Sequence, residues 1–305
     1  MQDPSALFRL EVDTDPADLH AETMVVALGG YIDAGHTQRL LIEHLLRTLD
    51  HTVLATFDVD QLIDYRARRP QMVFSRDQFT SYSDPSLALY RVVDDSGRPF
   101  LVLWGPEPDY QWERVCEAIL VLAEVLGVRL MVSVHGIPMA VPHTRPIGST
   151  LHGTTDELRA DAVPVFGTVT LPGSLQALLE FRAGERGRAA VGYAIHVPHY
   201  LAQGDYPAAA AHALDRLVAA AGLDLSPTAL EMAAADSSRA IASEVAESAE
   251  AAEIVQALET QYDARAAGPG DGMNPDAIDG EALPTGDELG AELEAFLERI
   301  RRPER

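Results

Sequence analysis

The chain alternates short, wholly apolar runs with segments whose leucines recur at helical spacing, and this alternation restricts the fold more than any other feature. Residues 24–28, MVVAL, form an apolar run closed by Gly29 and Gly30, and residues 34–49 then place Leu40, Leu41, Leu45, Leu46 and Leu49 at helical spacing. TVLATFD at 52–58 follows within three residues, as the next strand of a βαβ unit does. Residues 111–126, QWERVCEAILVLAEVL, predict an amphipathic helix that Gly127 stops, and RLMVSV at 129–134 is a fully apolar strand.

Further strands are expected at 163–169 (VPVFGTV) and 188–197 (RAAVGYAIHV), with a helix from Ser174 to about Ala183 and another over 207–221, where proline takes the first helical position. LALYRVVDD and RPFLVLWG flank Ser96 and Gly97 as a hairpin. Residues 60–85 have no sustained period and read as an irregular excursion with a short strand near Met72–Phe74. This order predicts an α/β sandwich with a mostly parallel or mixed central sheet. From Leu223 the composition turns to alanine and glutamate without β-like runs. The expected division is therefore an α/β core over 1–222 and a helical extension over 223–305, with a Gly/Pro/Asp-rich linker near 266–286 and a last amphipathic helix at 287–302.

A formal net charge of −24 opposes binding to a phosphate backbone, and no apolar run is long enough to cross a bilayer, so neither nucleic acid nor membrane is an expected partner. The amino-terminal stretch lacks the layout of a secretory signal, and a single cysteine, Cys116, permits no intrachain disulfide; a cytoplasmic location is expected. All 23 positive residues are arginines. Without lysine there is no Schiff-base chemistry, no lysine base and no P-loop lysine.

In open α/β sheets ligands collect beyond the carboxyl ends of strands, where this chain places GGYIDAGH, HGIPMAVPHTRP and HVPHYLAQGDYP. The glycines of the first, including Gly30, could present free amides to an anion, or could simply permit a tight turn with Asp33 as a cap or dipole partner of the helix. His135, His143, His152, His196 and His199 could converge if the loops meet, but no H-E-x-x-H signature occurs and Pro198 interrupts a helical pairing, so no metal or other cofactor is expected. Arg145, on a proline-stiffened loop, can offer its fork to a carboxylate or phosphate, or pair with an internal acid. Gly30, Asp33, His135, His143, Arg145, His196 and His199 are thus the candidate ligand- or partner-binding residues. G-x-S-x-G is absent, Ser174 reads first as an N-cap, and Cys116 lies within a helix, so no catalytic residue is assigned.

Taken together, LGGYIDAG, HGIPMAVPHTRP, LPGSLQALLEFR and GYAIHVPHYLAQGDYPAAA resemble, over roughly residues 8 to 265, the actinobacterial branch of the proteasome assembly chaperone two family. The resemblance implies a three-layer α/β/α sandwich with a phosphorylase/hydrolase-like mixed sheet and extra carboxyl-terminal helices. It also implies self-association as homotrimers and a non-enzymatic role in binding proteins, with proteasome-type subunits as partners. Chaperones of this kind that dock on the proteasome end surface use a hydrophobic–tyrosine–any-residue tail. This sequence ends RIRRPER, so docking by that route is not expected. The alternative reading is a small-molecule hydrolase or phosphorylase-like enzyme in which His135, His143 and Arg145 transfer protons and bind anions with help from Asp33, and it requires those side chains to line one pocket.

Overall fold

The structure, a computed structural model, describes residues 3–11, 19–163 and 167–266. Its centre is an eight-stranded sheet. The strands are β1 (Phe8–Leu10), β2 (Thr23–Gly29), β3 (His51–Phe57), β6 (Ala88–Val93), β7 (Pro99–Pro106), β8 (Leu130–Met139), β9 (Ser149–Gly153) and β10 (Ala189–Pro198), while β4 (Met72–Ser75) and β5 (Gln78–Tyr82) pair only with each other. The order across the sheet is β1-β3-β6-β7-β2-β8-β10-β9. β7, β2, β8 and β10 run parallel, and antiparallel strands complete both edges.

The central strands are apolar along nearly their whole length because both faces are covered. On one face α2 (Trp112–Val125) and α3 (Leu175–Glu185) bury Val115, Ile119, Leu122 and Leu179 against Met24, Val26, Leu101 and Met131. On the other, α1 (Thr37–Thr48) and α4 (Pro207–Ala221) bury Leu41, Leu45, Leu214 and Leu217 against Val25, Val102, Val132 and Ile195. The architecture is the expected three-layer sandwich. Ser174 caps α3, its hydroxyl accepting from the Ala177 N–H at 3.1 Å. Cys116 is buried in α2, and burial pushes its thiol up to about 12.

Several elements differ from the expectation. β8 runs through His135 to Met139, because its ladder with β10 holds as far as the Pro138–Val197 and Met139–Pro198 pairs, so His135 lies within a strand and not in the loop after it. β9 was not expected; its serine, threonine and glycine lack an apolar pattern, and pairing with the edge of β10 makes it a strand. No strand forms at Val163 or at 167–169, where Pro164 and Gly167 punctuate the chain and Val163 and Val169 are exposed; residues 164–166 lie outside the described residues. The excursion at 60–85 contains a hairpin, β4–β5, where only one short strand is expected. At its turn Arg76 takes a left-handed conformation (φ 59°) that costs a side-chain-bearing residue about 1 kcal/mol.

Beyond α4, α5 (Thr228–Glu247) and α6 (Ala249–Ala266) are the helices expected there; the linker from 267 and the helix at 287–302 fall outside the described residues. Asp94 joins this region to the sheet. Its carboxylate, fully buried, accepts from the N–H groups of Ser96, Arg98 and Asp224 at 2.8–3.0 Å. Burial alone would push this carboxyl up, but these donors together with the Ser96 hydroxyl and the Arg98 charge hold it at about 2. Replacing it by alanine removes the shared acceptor of three N–H groups at this junction. Asp94→Ala is expected to lower stability by about 2–4 kcal/mol, read from urea unfolding.

Candidate functional site

The three loops singled out in the sequence do meet at the carboxyl ends of β2, β8 and β10, and backbone bonds join them. Asp33 is the centre. Its carboxylate accepts from the N–H groups of Gln38 (2.8 Å) and Arg39 (3.2 Å) at the start of α1 and from Gly136 N–H in β8 (3.3 Å). Burial raises its carboxyl above the ordinary range against the lowering pull of those three donors. Gly136 has to be glycine: a Cβ there would lie 2.0 Å from the Ala34 carbonyl oxygen. Gly35, at φ 65°, donates to the Ala202 carbonyl (2.8 Å) and accepts from Tyr206 N–H (2.9 Å), which ties the first loop to the segment after β10.

The side chains are equally committed. His143 shares a 2.7 Å hydrogen bond with the Tyr200 hydroxyl, which also accepts the His143 backbone N–H at 2.9 Å, and burial lowers the imidazole's pKa. Arg145 donates to both carboxylate oxygens of Asp263 (2.8 and 2.6 Å) and to Glu259 (3.2 Å) in α6, and the Asp263 bonds push its pKa up further. Together with the contact of Thr144 to Glu259 and the Tyr262 hydroxyl donating to the Pro146 carbonyl at 3.3 Å, Arg145 fastens α6 to this loop. His196 lies 2.8 Å from the Thr150 hydroxyl in β9. His199 is exposed, its ring edge-on to Tyr200 at 5.4 Å. Gly30 sits over Glu107, whose buried carboxylate accepts from Leu175 N–H (2.6 Å) at the start of α3. Among the described residues no group of histidines, cysteines or carboxylates could hold a metal ion.

His135 is the exception. Its Nδ1 is buried and has no hydrogen-bond partner, and burial, with His152 nearby, lowers its pKa to about 4. Ser133, on the same face of β8, lines a narrow crevice beneath α3 with Gln176 and Glu180. Glu180 is engaged by His152 at 2.9 Å, and Gln176 accepts from the Gln38 side-chain amide at 3.0 Å. His152 is one of the histidines the sequence singles out, whereas Gln176, Glu180, Glu107, Tyr200 and Thr150 are not legible there, because isolated polar residues within helices and edge strands carry no local pattern. Asp33, His143, Arg145 and His196 are brought to one end of the sheet, and none of them lines the crevice beneath α3.

A family model, described as the PAC2 family, matches residues 27–245 of the chain. The chain belongs to the PAC2 family. Two solved structures of proteins of unknown function are similar to the chain over most of their length. A Mycobacterium tuberculosis protein is 45% identical, with 85% of this chain and 89% of that one covered at a TM-score of 0.80. A Corynebacterium glutamicum protein is 39% identical, with coverage of 86% and 98% and a TM-score of 0.79. A Mycobacterium tuberculosis proteasome-assembly chaperone homologue is 22% identical over 76% of this chain and 99% of its own (TM-score 0.70), and at that identity it shows the PAC2 fold alone. No curated protein sequence matches the chain. No described helix of this PAC2 member is long and apolar enough to cross a membrane.

Two measurements probe the site. Arg145→Ala removes the bidentate hold on α6, and hydrogen exchange over 249–264 is expected to accelerate roughly tenfold while amides of β2 and β8 keep their protection. His135 and His196 are buried neutral, each with a pKa pushed from 6.5 to about 4, by burial first and by His152 and His212 respectively. The unfolded chain takes up these protons from about pH 6.5 downward and the fold only near pH 4, so their contribution is complete above 6.5 and lost as pH falls toward 4. Acidification from about pH 7 to about pH 4.5 should cost on the order of 2 kcal/mol per histidine, and His135→Gln with His196→Gln should flatten that dependence in thermal unfolding.

Proposed function

We propose that this PAC2 member is a non-enzymatic, assembly-chaperone-like protein that works as a homotrimer and binds other proteins, proteasome-type core subunits among them. The observation that carries the reading is the engagement of the strand-end side chains. A catalytic group must be free to reach a substrate, whereas Asp33 is occupied by three N–H groups, Arg145 by two carboxylates, His143 by Tyr200 and His196 by Thr150. The loops so fixed form a rigid edge, which suits recognition of a protein surface without ordering cost. The likeness to a proteasome-assembly chaperone homologue supports the choice of partner class. The single cysteine, buried and unable to form an intrachain disulfide, supports a cytoplasmic site of action.

In this reading the core over 1–222 supplies the edge, and we assign the extension over 223–305, whose α5 and α6 are fastened through Asp94 and Arg145, to the same binding body. The test is native mass spectrometry of the purified full chain alone and mixed with purified proteasome α-type subunits. A trimer, and a defined complex in the mixture, are the expected results. A chain that forms neither, and that turns over small ester or nucleoside substrates, would establish the hydrolase or phosphorylase-like alternative instead.

A further inference from the structure

The hairpin β4–β5 stands apart from the rest of the fold. All nine residues of its two strands are exposed, and the hairpin forms its own two-stranded sheet. An isolated two-stranded hairpin is marginal in water, and this one carries apolar side chains that remain exposed among the described residues. Phe74 and Phe79, 59% and 65% exposed, pack edge to face at 5.1 Å, with Met72 and Tyr82 paired beside them.

Its charge also runs against the molecule. In a chain of net charge −24, residues 66–79 hold four arginines against the single acid Asp77. Arg68 pairs with Asp109 at the base, while Arg69 and the tip residue Arg76 have no ion-pair partner among the described residues. The complementary surface lies elsewhere on the same chain, at the corner where α5 gives way to α6. Glu244, Glu247, Glu250 and Glu253 are exposed there without any basic residue between them, beside exposed Ala246, Ala249 and Ala252 and the half-exposed Ile254. Two copies of so acidic a chain repel each other unless a locally cationic surface meets an anionic one. This chain holds both, and in one copy they do not cover each other.

We propose that the β4–β5 hairpin is an arm that docks on the α5–α6 corner of a second copy. Its Phe74–Phe79 pair would lie on the small-residue helix surface, and Arg69 and Arg76 would face the glutamates. Such a contact joins two different patches, so it is head-to-tail and can close into a ring. The inference rests on the self-association proposed above and names its surface.

Sedimentation velocity on the full chain tests it with three variants, each first checked for unchanged circular dichroism. Phe74→Ser with Phe79→Ser, and separately Arg69→Glu with Arg76→Glu, are expected to raise the dissociation constant of self-association at least about tenfold. Glu247→Arg with Glu250→Arg should do the same, and combining both charge reversals in one chain should restore association. A wild-type chain that is monomeric at every concentration would sink the self-association reading and the arm with it. Oligomers indifferent to the arm variants would leave self-association standing and overturn the arm. Loss without restoration in the combined chain would overturn the α5–α6 corner as its acceptor. Co-sedimentation of monomeric wild-type chain with anionic phospholipid vesicles, abolished by the Phe74→Ser and Phe79→Ser changes, would make the occupant a lipid surface and overturn the proposal.

Discussion

A single carboxylate sets the arrangement at the business end of the sheet. The chain leaves β2 through a glycine turn and enters α1, whose first N–H groups need acceptors, and β8 arrives alongside with the Gly136 N–H also turned toward the same point. Asp33 satisfies both at once. That bond can exist only if the two backbones come close, and the missing Cβ of Gly136 permits it, since the Ala34 carbonyl occupies the space a side chain would need. Once β2 and β8 are held this way, Gln38 reaches the Val134 carbonyl at 2.8 Å and Gln176 at 3.0 Å, which brings α3 over the same sheet end. The position of the third loop follows through Gly35, Ala202 and Tyr206. The burial that raises the Asp33 carboxyl is the cost of placing a charge at this junction, and three N–H donors offset it.

The parts of the fold that a linear reading recovers are those in which one face of an element decides its fate. β2, β8 and β10 are continuous apolar runs, α1 and α2 repeat leucine and valine at helical spacing, and Pro207 and Ser174 mark helix starts, so each declares itself without knowledge of its neighbours. β9 and β5 are different. STLHG and QFTSY become strands because β10 and β4 offer free edges, and that information sits elsewhere in the chain. The candidate site divides in the same way. Asp33 before a helix and Arg145 on a proline-stiffened loop can be picked out as residues with something to bind, but not what they bind. Both possibilities considered for Arg145, a ligand anion or an internal acid, use the same guanidinium chemistry, and the choice is made by Glu259 and Asp263 more than a hundred residues away.

The two ends of the chain's chemistry are held by different forces. The sandwich rests on apolar burial, with Phe100, Leu101, Leu41 and Val132 wholly removed from water, and salt hardly changes such contacts. The helices beyond α4 have much less of it: α5 buries Leu230, and α6 buries Val255. What adds to this is polar, Asp94 to the Asp224 N–H at one end and Arg145 to Asp263 at the other. Ion pairs that retain solvent contact weaken as salt screens them, so the outer helices can loosen under conditions that leave the sheet intact.

This division bears on what a rigid sheet end can do. Catalysis at the ends of parallel strands uses side chains that the scaffold positions and then leaves unsatisfied until a substrate arrives. Here most of those side chains have already been spent on the scaffold, and the buried Nδ1 of His135 is closed off from the solvent that a substrate would have to cross. Unsatisfied surface lies instead on the outside, in the aromatic pair of β4–β5 and in the exposed glutamates between α5 and α6. Exposed apolar and charged groups of this kind are what contact between macromolecules uses, and the proposed protein-binding role draws on them.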